Sequence, residues 1–257
     1  MEGFCPLASG SKGNCIYLGT STTKILIDAG ISAKVIRQRL HAIGVSLEEI
    51  DAVLITHEHS DHIQALDILG CKMQIPVFAN SDTAKAIHSI LHECPKFKIF
   101  STGETFEFGD LEVRPFTIQH DAVDPVAFTM RTKGLKLGFC TDLGFVTTLV
   151  SGELQGCDYL YVEANHEPSM VHASRRPQIN KQRILSRQGH LSNQECAKLI
   201  ELVYHTDLKH IHLAHLSSEC NAPEVALRAI TDKLQSLKAK TEVSIAYQEM
   251  ISRSITF

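Results

Sequence analysis

A chain of 257 residues, 44% hydrophobic with a formal net charge of −4, has the make-up of an ordinary globular protein and the length to build a substantial core. No apolar run approaches the ~20 residues that span a bilayer, and the acidic balance excludes wholesale electrostatic binding to nucleic acid. The N-terminal Met1-Glu2-Gly3-Phe4-Cys5-Pro6 lacks the basic start and long apolar core of an export signal, and the eight cysteines form no Cys-x-x-Cys pair, so reduced thiols in a cytoplasmic protein are expected.

Short apolar runs predict strands at Phe4–Ala8, Cys15–Gly19, Lys24–Asp28, Ala52–Ile55, Pro76–Ala79, Lys98–Phe100, Leu111–Ile118, Val126–Arg131, Lys136–Cys140, Tyr159–Val162, Ile211–Ala214 and Val243–Ala246. Turn signals at Ser9–Asn14, Phe108-Gly109-Asp110 and Thr132-Lys133-Gly134 separate them. Helical patterns fall at Ala33–Ile43, Ile63–Leu69, Asp82–His92, Asn193–Tyr204 and Pro223–Leu237. Ser192 before Asn193-Gln194-Glu195 predicts a capping box, and Asn221 ahead of Pro223 predicts an N-cap with an early-turn proline. No repeat or linker interrupts the alternation. One α/β domain over 1–257 is expected, a sandwich with sheets inside and helices on the two outer faces.

The chemistry begins where Ala52–Ile55 ends. Residues 56–62 read Thr-His-Glu-His-Ser-Asp-His, placing His57, His59, Asp61 and His62 within six positions. Buried groups this dense are costly unless something pairs with them, and a metal cluster satisfies them. Imidazole with carboxylate suits zinc, manganese or iron better than calcium or magnesium. Alternation aims His57 and His59 the same way, while Asp61 and His62 lie near a helix start and can face a second ion. Four more polar residues close other strands: Asp28, His120, Asp142 and His215. Each has a bland reading as a loop residue; together, at matching strand ends, they argue for one site. Cys140 is a further candidate contact.

The ordered set Asp28, His57-x-His59-x-Asp61-His62, His120, Asp142 and His215 resembles the five motifs of the metallo-β-lactamase superfamily across essentially the whole chain. Ser9–Asn14, His120-Asp121-Ala122, Thr141-Asp142-Leu143-Gly144, Glu163-Ala164-Asn165-His166, Gly189–Asn193 and His215-Leu216-Ser217 resemble its bacterial YycJ/WalJ subgroup, regarded as exonuclease-like. The resemblance implies a four-layer αββα fold and two divalent ions, zinc or manganese with iron as an alternative. His57, His59 and His120 would hold the first ion, Asp61, His62 and His215 the second. Asp142 would bridge, and Asp28 would orient the cluster from behind.

The implied reaction is hydrolysis of a phosphodiester in nucleic acid, DNA more than RNA, with a 5′–3′ exonuclease-like mode and no membrane partner; a homodimer stays open. Asp61, Asp142, His190 and Glu163 form the implied catalytic set. By resemblance to tRNase Z, His190 would protonate the leaving oxygen, with Glu163 fixing its tautomer; the alternative for His190 is a histidine that merely flanks a helix. Ser9, Ser11 and Asn14 lie on a Gly/Ser loop that is either a phosphate cradle or a plain hairpin turn. Pro168–Gln194 contains no Asp or Glu but carries Arg175, Arg176, Lys181, Arg183 and Arg187, either a strand-guiding patch or a solvated basic face. The rival functions are a small-molecule phosphodiesterase, a glyoxalase II-type thioesterase and a non-catalytic scaffold.

Overall fold

A computed structural model of the protein describes residues 1–91 and 95–257. Strands β1 (Gly3–Ala8), β2 (Cys15–Gly19), β3 (Lys24–Ile27), β4 (Ala52–Leu54), β5 (Val77–Asn80) and β6 (Phe97–Phe100) hydrogen-bond in that order into a six-stranded sheet. The first three form an antiparallel meander, and β3 to β6 run parallel. Parallel strands covered on both faces read as near-continuous apolar runs. Ile25, Leu26 and Ile27 accordingly pair with Ala52, Val53 and Leu54, and none of the six is more than 1% exposed.

Strands β7 (Phe106–Phe108), β8 (Leu111–Thr117), β9 (Val126–Thr132), β10 (Leu135–Cys140), β11 (Tyr159–Glu163), β12 (His210–Ala214) and β13 (Glu242–Ile245) make a seven-stranded sheet in the order β13-β12-β11-β10-β9-β8-β7. β10 to β13 are parallel neighbours. The β9–β10 hairpin turns at Lys133 (φ 49°) and Gly134 (φ 78°), two consecutive left-handed residues as a type I′ turn requires. Eight α-helices lie among the described residues: α1 (Ala33–Ala42), α2 (Ser60–Ile63), α3 (Ser81–Ile90), α4 (Thr148–Leu154), α5 (Pro168–Ala173), α6 (Gln178–Ile184), α7 (Asn193–Val203) and α8 (Pro223–Ser236). The fold is mixed α/β with two sheets, as the strand and helix patterns lead one to expect. No helix among the described residues is long and apolar enough to cross a membrane.

The chain divides into two compact units. The first comprises Met1–Pro115, Ala122–Val126 and Tyr247–Phe257, the second Phe116–Asp121 and Ala127–Ala246. In the first unit Leu7, Tyr17, Leu26, Val53, Leu66 and Ile87 share one core, and α1 contributes Ile36 and Leu40 to it. In the second, Leu160, Val162, Ile211 and Leu213 of the sheet pack with Ile200 of α7 and Ile230 of α8. Burying one such side chain is worth about 1.5–3 kcal/mol. These two cores hold the strand ends on which the polar residues sit.

Several local expectations are corrected. The helix expected at Ile63–Leu69 is instead the short α2 followed by a π-helical turn, Asp67–Lys72. Within it the backbone at Gly70 packs closely, since a Cβ there would lie 2.7 Å from Pro95 and 3.0 Å from Val77. Asn221 does not cap α8, whose N-cap is Ala222. Its side-chain amide donates to the Ala164 carbonyl (2.9 Å) and to Asn193 (3.0 Å). Ser192 does cap α7, accepting from the Glu195 amide. The helix expected over Asp82–His92 spans Ser81–Ile90, and His92 lies outside the described residues.

Candidate metal centre

In the first unit the polar loop after β4 is tied to the end of β3. Asp28 takes a left-handed φ of 59°, a conformation that costs a non-glycine residue about 1–3 kcal/mol and clusters at functional sites. In that position its carboxylate accepts from the Thr56 amide (2.9 Å), from the Thr56 hydroxyl and from Nδ1 of His62 (2.8 Å). Thr56 Oγ1 also lies 3.0 Å from Nδ1 of His57. The rings of His59 and His62 lie 4.6 and 4.0 Å from that of His57, and Asp61 lies 3.6 Å from Nε2 of His62. His57 and His62 are fully buried, Asp28 nearly so. All four residues of the motif therefore gather at one strand end.

The sequence of Ser9–Asn14 allows either an anion cradle or a hairpin turn. The amides of Ser9, Gly10, Lys12, Gly13 and Asn14 donate to Tyr247, Asn14 Oδ1, Gln248, Gly10 and Asp61 respectively. Those five donors are spent within the fold. Ser9 and Asn14 are buried, and only Ser11 of the three named residues is exposed. Asn14 does reach the site from within: its side-chain amide lies 3.1 Å from Nε2 of His62. Gly30 completes the packing, since a Cβ on it would come within 1.5 Å of the Asp61 carbonyl oxygen. A cavity of about 350 Å³ opens beside Asp61, lined among others by Ser11, Lys12, Glu58, Ser60 and Gln64.

In the second unit Asp142 and His215 repeat the backbone device of Asp28, with φ of 56° and 55° at the ends of β10 and β12. Oδ1 of Asp142 lies 3.5 Å from Nδ1 of His215, 3.7 Å from Nδ1 of His190 and 3.8 Å from Nε2 of His120. Nδ1 of His120 faces the Gly189 carbonyl at 3.1 Å. Beneath them Glu163, fully buried at the end of β11, has all its acceptor capacity in use. Oε1 lies 2.9 Å from Nδ1 of both His190 and His215, and Oε2 accepts from the amides of Leu143 (2.7 Å) and Leu191 (3.1 Å). Burial alone would raise its carboxyl pKa. The charge and hydrogen bonds of His190 and His215 outweigh it and hold Glu163 well below the usual carboxylate range. Burial likewise lowers the pKa of His120, and that of His166 to about 4. Both imidazoles are thereby kept neutral, the form a metal or a hydrogen-bonded core requires.

A common pattern runs through the imidazoles. Nδ1 of His57, His62, His120, His190 and His215 is engaged by a hydroxyl, a carboxylate or a carbonyl. A carboxylate or carbonyl only accepts, so in the last four Nδ1 carries the proton and Nε2 is the basic nitrogen. Histidines that ligate metals are held in this way, the far N–H donating to a carboxylate or backbone oxygen. Asp142, Glu163, His190 and His215 each offer an atom within 4.8 Å of the others. A donor set of imidazole nitrogen and carboxylate oxygen fits zinc or manganese. Cys140 does not join it: burial first, then the charges of Glu163 and Asp142, push its thiol well above its ordinary pKa, against the thiolate a metal needs.

Two partners escaped the sequence reading. Thr56 reads as a loop threonine, yet its hydroxyl links Asp28 to His57. Asn165 donates to the His215 carbonyl at 2.7 Å and steadies that residue's left-handed turn. The signal for Asn165 was its place in Glu163-Ala164-Asn165-His166; nothing in the sequence marks Thr56 beyond adjacency. The basic stretch is only partly available to a substrate. Arg176 pairs with Glu219 (2.7 Å), Arg183 pairs with Asp121, and Lys181 donates to the His172 carbonyl (2.7 Å). Arg187 instead lies over the Phe145 ring, 4.0 Å from its centroid.

Residues 23–215 match the family described as the Beta-lactamase superfamily domain. The chain is 38% identical over 235 residues to Exodeoxyribonuclease YycJ of Bacillus anthracis, covering 90% of this chain and 89% of that one. It is 37% identical over 232 residues to Exodeoxyribonuclease WalJ of Streptococcus pneumoniae serotype 2, covering 89% and 86%. Among solved structures it is similar to the metallo-beta-lactamase fold protein YhfI of Bacillus subtilis, with a TM-score of 0.70, 14% identity, and coverage of 96% of this chain and 97% of that one.

Proposed function

The chain belongs to the beta-lactamase superfamily, and from that membership we propose that it is a metal-dependent hydrolase of phosphodiesters in nucleic acid, an exonuclease acting on DNA rather than RNA. The observation that carries the reading is the shared tautomer: imidazoles held at Nδ1 present Nε2 of His62 beside Asp61 (3.6 Å) in one unit and Nε2 of His120 beside Asp142 (3.8 Å) in the other. His57, His59 and His120 would hold one divalent ion, and Asp61, His62 and His215 the second, with Asp142 serving both. This assignment rests on the order of the motifs and on family membership. Such a pair of ions, when bound, polarises the phosphoryl group and lowers the pKa of water.

The remaining work falls to the chain's own side chains. Asp28 and Thr56 fix the orientation of the His57 and His62 rings. Glu163 keeps Nδ1 of His190 protonated and faces the imidazole Nε2 outward. In its imidazolium form, with both ring nitrogens protonated, His190 gives the Nε2 proton to the departing sugar oxygen as the P–O bond breaks and is left as the neutral Nδ1–H tautomer held by Glu163. Arg175 and Arg187, the two arginines of the basic stretch without a carboxylate partner among the described residues, supply positive charge for the strand. DNA is favoured over RNA because both relatives carry exodeoxyribonuclease names.

The test uses 5′- and 3′-labelled single- and double-stranded DNA and RNA, with bis-nitrophenyl phosphate alongside, under added Mn²⁺ or Zn²⁺. Progressive release of nucleotides from a DNA 5′ end is expected. Turnover of the small diester with no action on any polynucleotide would transfer the assignment to a small-molecule phosphodiesterase.

A further inference from the structure

Phe145 is a large apolar side chain left 37% exposed, three residues beyond Asp142. Arg187, three residues before His190, lies exposed over its ring at 4.0 Å. The two segments that carry them are in backbone contact. A Cβ added to Gly144 would come within 2.4 Å of the Arg187 carbonyl oxygen and 2.8 Å of the Gly189 nitrogen. Both segments are also fastened to the strand end bearing His120, by the Gly144 amide to Gln119 (2.8 Å) and by the Gly189 carbonyl to His120. Arg176 and Arg183 spend their charge on Glu219 and Asp121. Among the described residues Arg187 has no carboxylate; its guanidinium carbon lies over an aromatic ring instead. The result is an exposed guanidinium backed by an aromatic ring, next in sequence to the groups that carry the chemistry.

Nucleobases stack on aromatic rings and on guanidinium planes, whatever the base. Resting on the nuclease reading above, we propose that Phe145 and Arg187 form a stacking platform for a nucleobase of the bound strand. The platform positions the adjoining phosphodiester and makes the site prefer base-bearing polynucleotide over a bare diester. Phe145 orients the guanidinium and extends the stack; Arg187 adds charge for the neighbouring phosphate.

The test compares Phe145→Ala, Phe145→Leu and Phe145→Trp with the unaltered enzyme. Each is assayed on a DNA oligonucleotide and on the same oligonucleotide carrying abasic sites at its first three positions. Loss of one stacked base corresponds to about a 5- to 150-fold weakening, read as a rise in KM. Phe145→Ala and Phe145→Leu should both show it on the base-bearing strand, and Phe145→Trp should not. On the abasic strand the gap between the variants and the unaltered enzyme should close to less than about twofold. Arg187→Lys, which keeps the charge but loses the plane, should behave like Phe145→Leu. An equal loss on both substrates, or no loss on either, overturns the platform while leaving the nuclease reading in place. Failure of the unaltered enzyme to degrade either oligonucleotide overturns the nuclease reading and the platform with it.

Discussion

Oε1 of Glu163 lies 2.9 Å from Nδ1 of His190, and the same oxygen is equally close to Nδ1 of His215. One buried carboxylate thus sets the tautomer of the proposed proton donor and of a proposed metal ligand. Replacing His190 with Ala should lower turnover by about 10²- to 10⁴-fold with metal content unchanged. Glu163→Gln should lower turnover and weaken metal binding about 10- to 100-fold together. Metal analysis alongside steady-state kinetics separates the two. Loss of metal in the His190 variant would make that residue a ligand instead of a donor.

Gly30→Ala tests the first unit's half of the site. The added Cβ meets the Asp61 carbonyl oxygen at 1.5 Å and the Asn14 nitrogen at 2.7 Å, both backbone atoms that cannot swing aside. Overpacking of this kind costs about 1–3 kcal/mol or more. The expected outcome is a lower Tm together with reduced metal affinity. An unchanged Tm would mean that Asp61 is not held by this contact.

Much of this arrangement is legible in the sequence. The strands buried on both faces announce themselves as apolar blocks, and Asp28, Asp142 and His215 stand out because each ends such a block. What the sequence hides is conformation and partnership. All three of those residues adopt left-handed φ values that no local pattern reveals. The engagement of Arg176 and Arg183 depends on Glu219 and Asp121, 43 and 62 residues away in the chain. β7 has three residues and α4 to α6 six or seven each, too few for a period to register. The Ser9–Asn14 loop looked open to a phosphate only because its long-range acceptors, Tyr247, Gln248 and Asp61, are not visible in sequence.

Electrostatic guidance of the strand should be modest and local. With Arg176 and Arg183 paired, few phosphates are contacted by free charge. The logarithm of kcat/KM should fall with the logarithm of salt at a slope of about 1–3, one unit or less per neutralised phosphate. Arg187→Glu and Arg175→Glu should each reduce that slope. A slope unaffected by both reversals would remove the basic stretch from the substrate path.

The seven described cysteines are all buried. Burial pushes the Cys157 thiol up to about 12, and those of Cys15 and Cys196 higher still. Thiolate is the reactive form. In a Cys94→Ser background, alkylation at pH 8 should be slow in the folded protein and reach all seven thiols in urea. Rapid modification of a native thiol would show that the cores open.

At the centre stands the proposal that the chain's imidazoles and carboxylates hold two divalent ions that act on a phosphodiester. Metal-stripped enzyme should be titrated with Mn²⁺ or Zn²⁺ while bound metal and hydrolysis of end-labelled DNA are followed together, for the unaltered chain and for His59→Ala, Asp142→Ala and His215→Ala. The account predicts two ions per chain, activity that appears only as the second site fills, and loss of both binding and activity in all three variants. Full hydrolysis by stripped enzyme, or by the Asp142 variant, would contradict it.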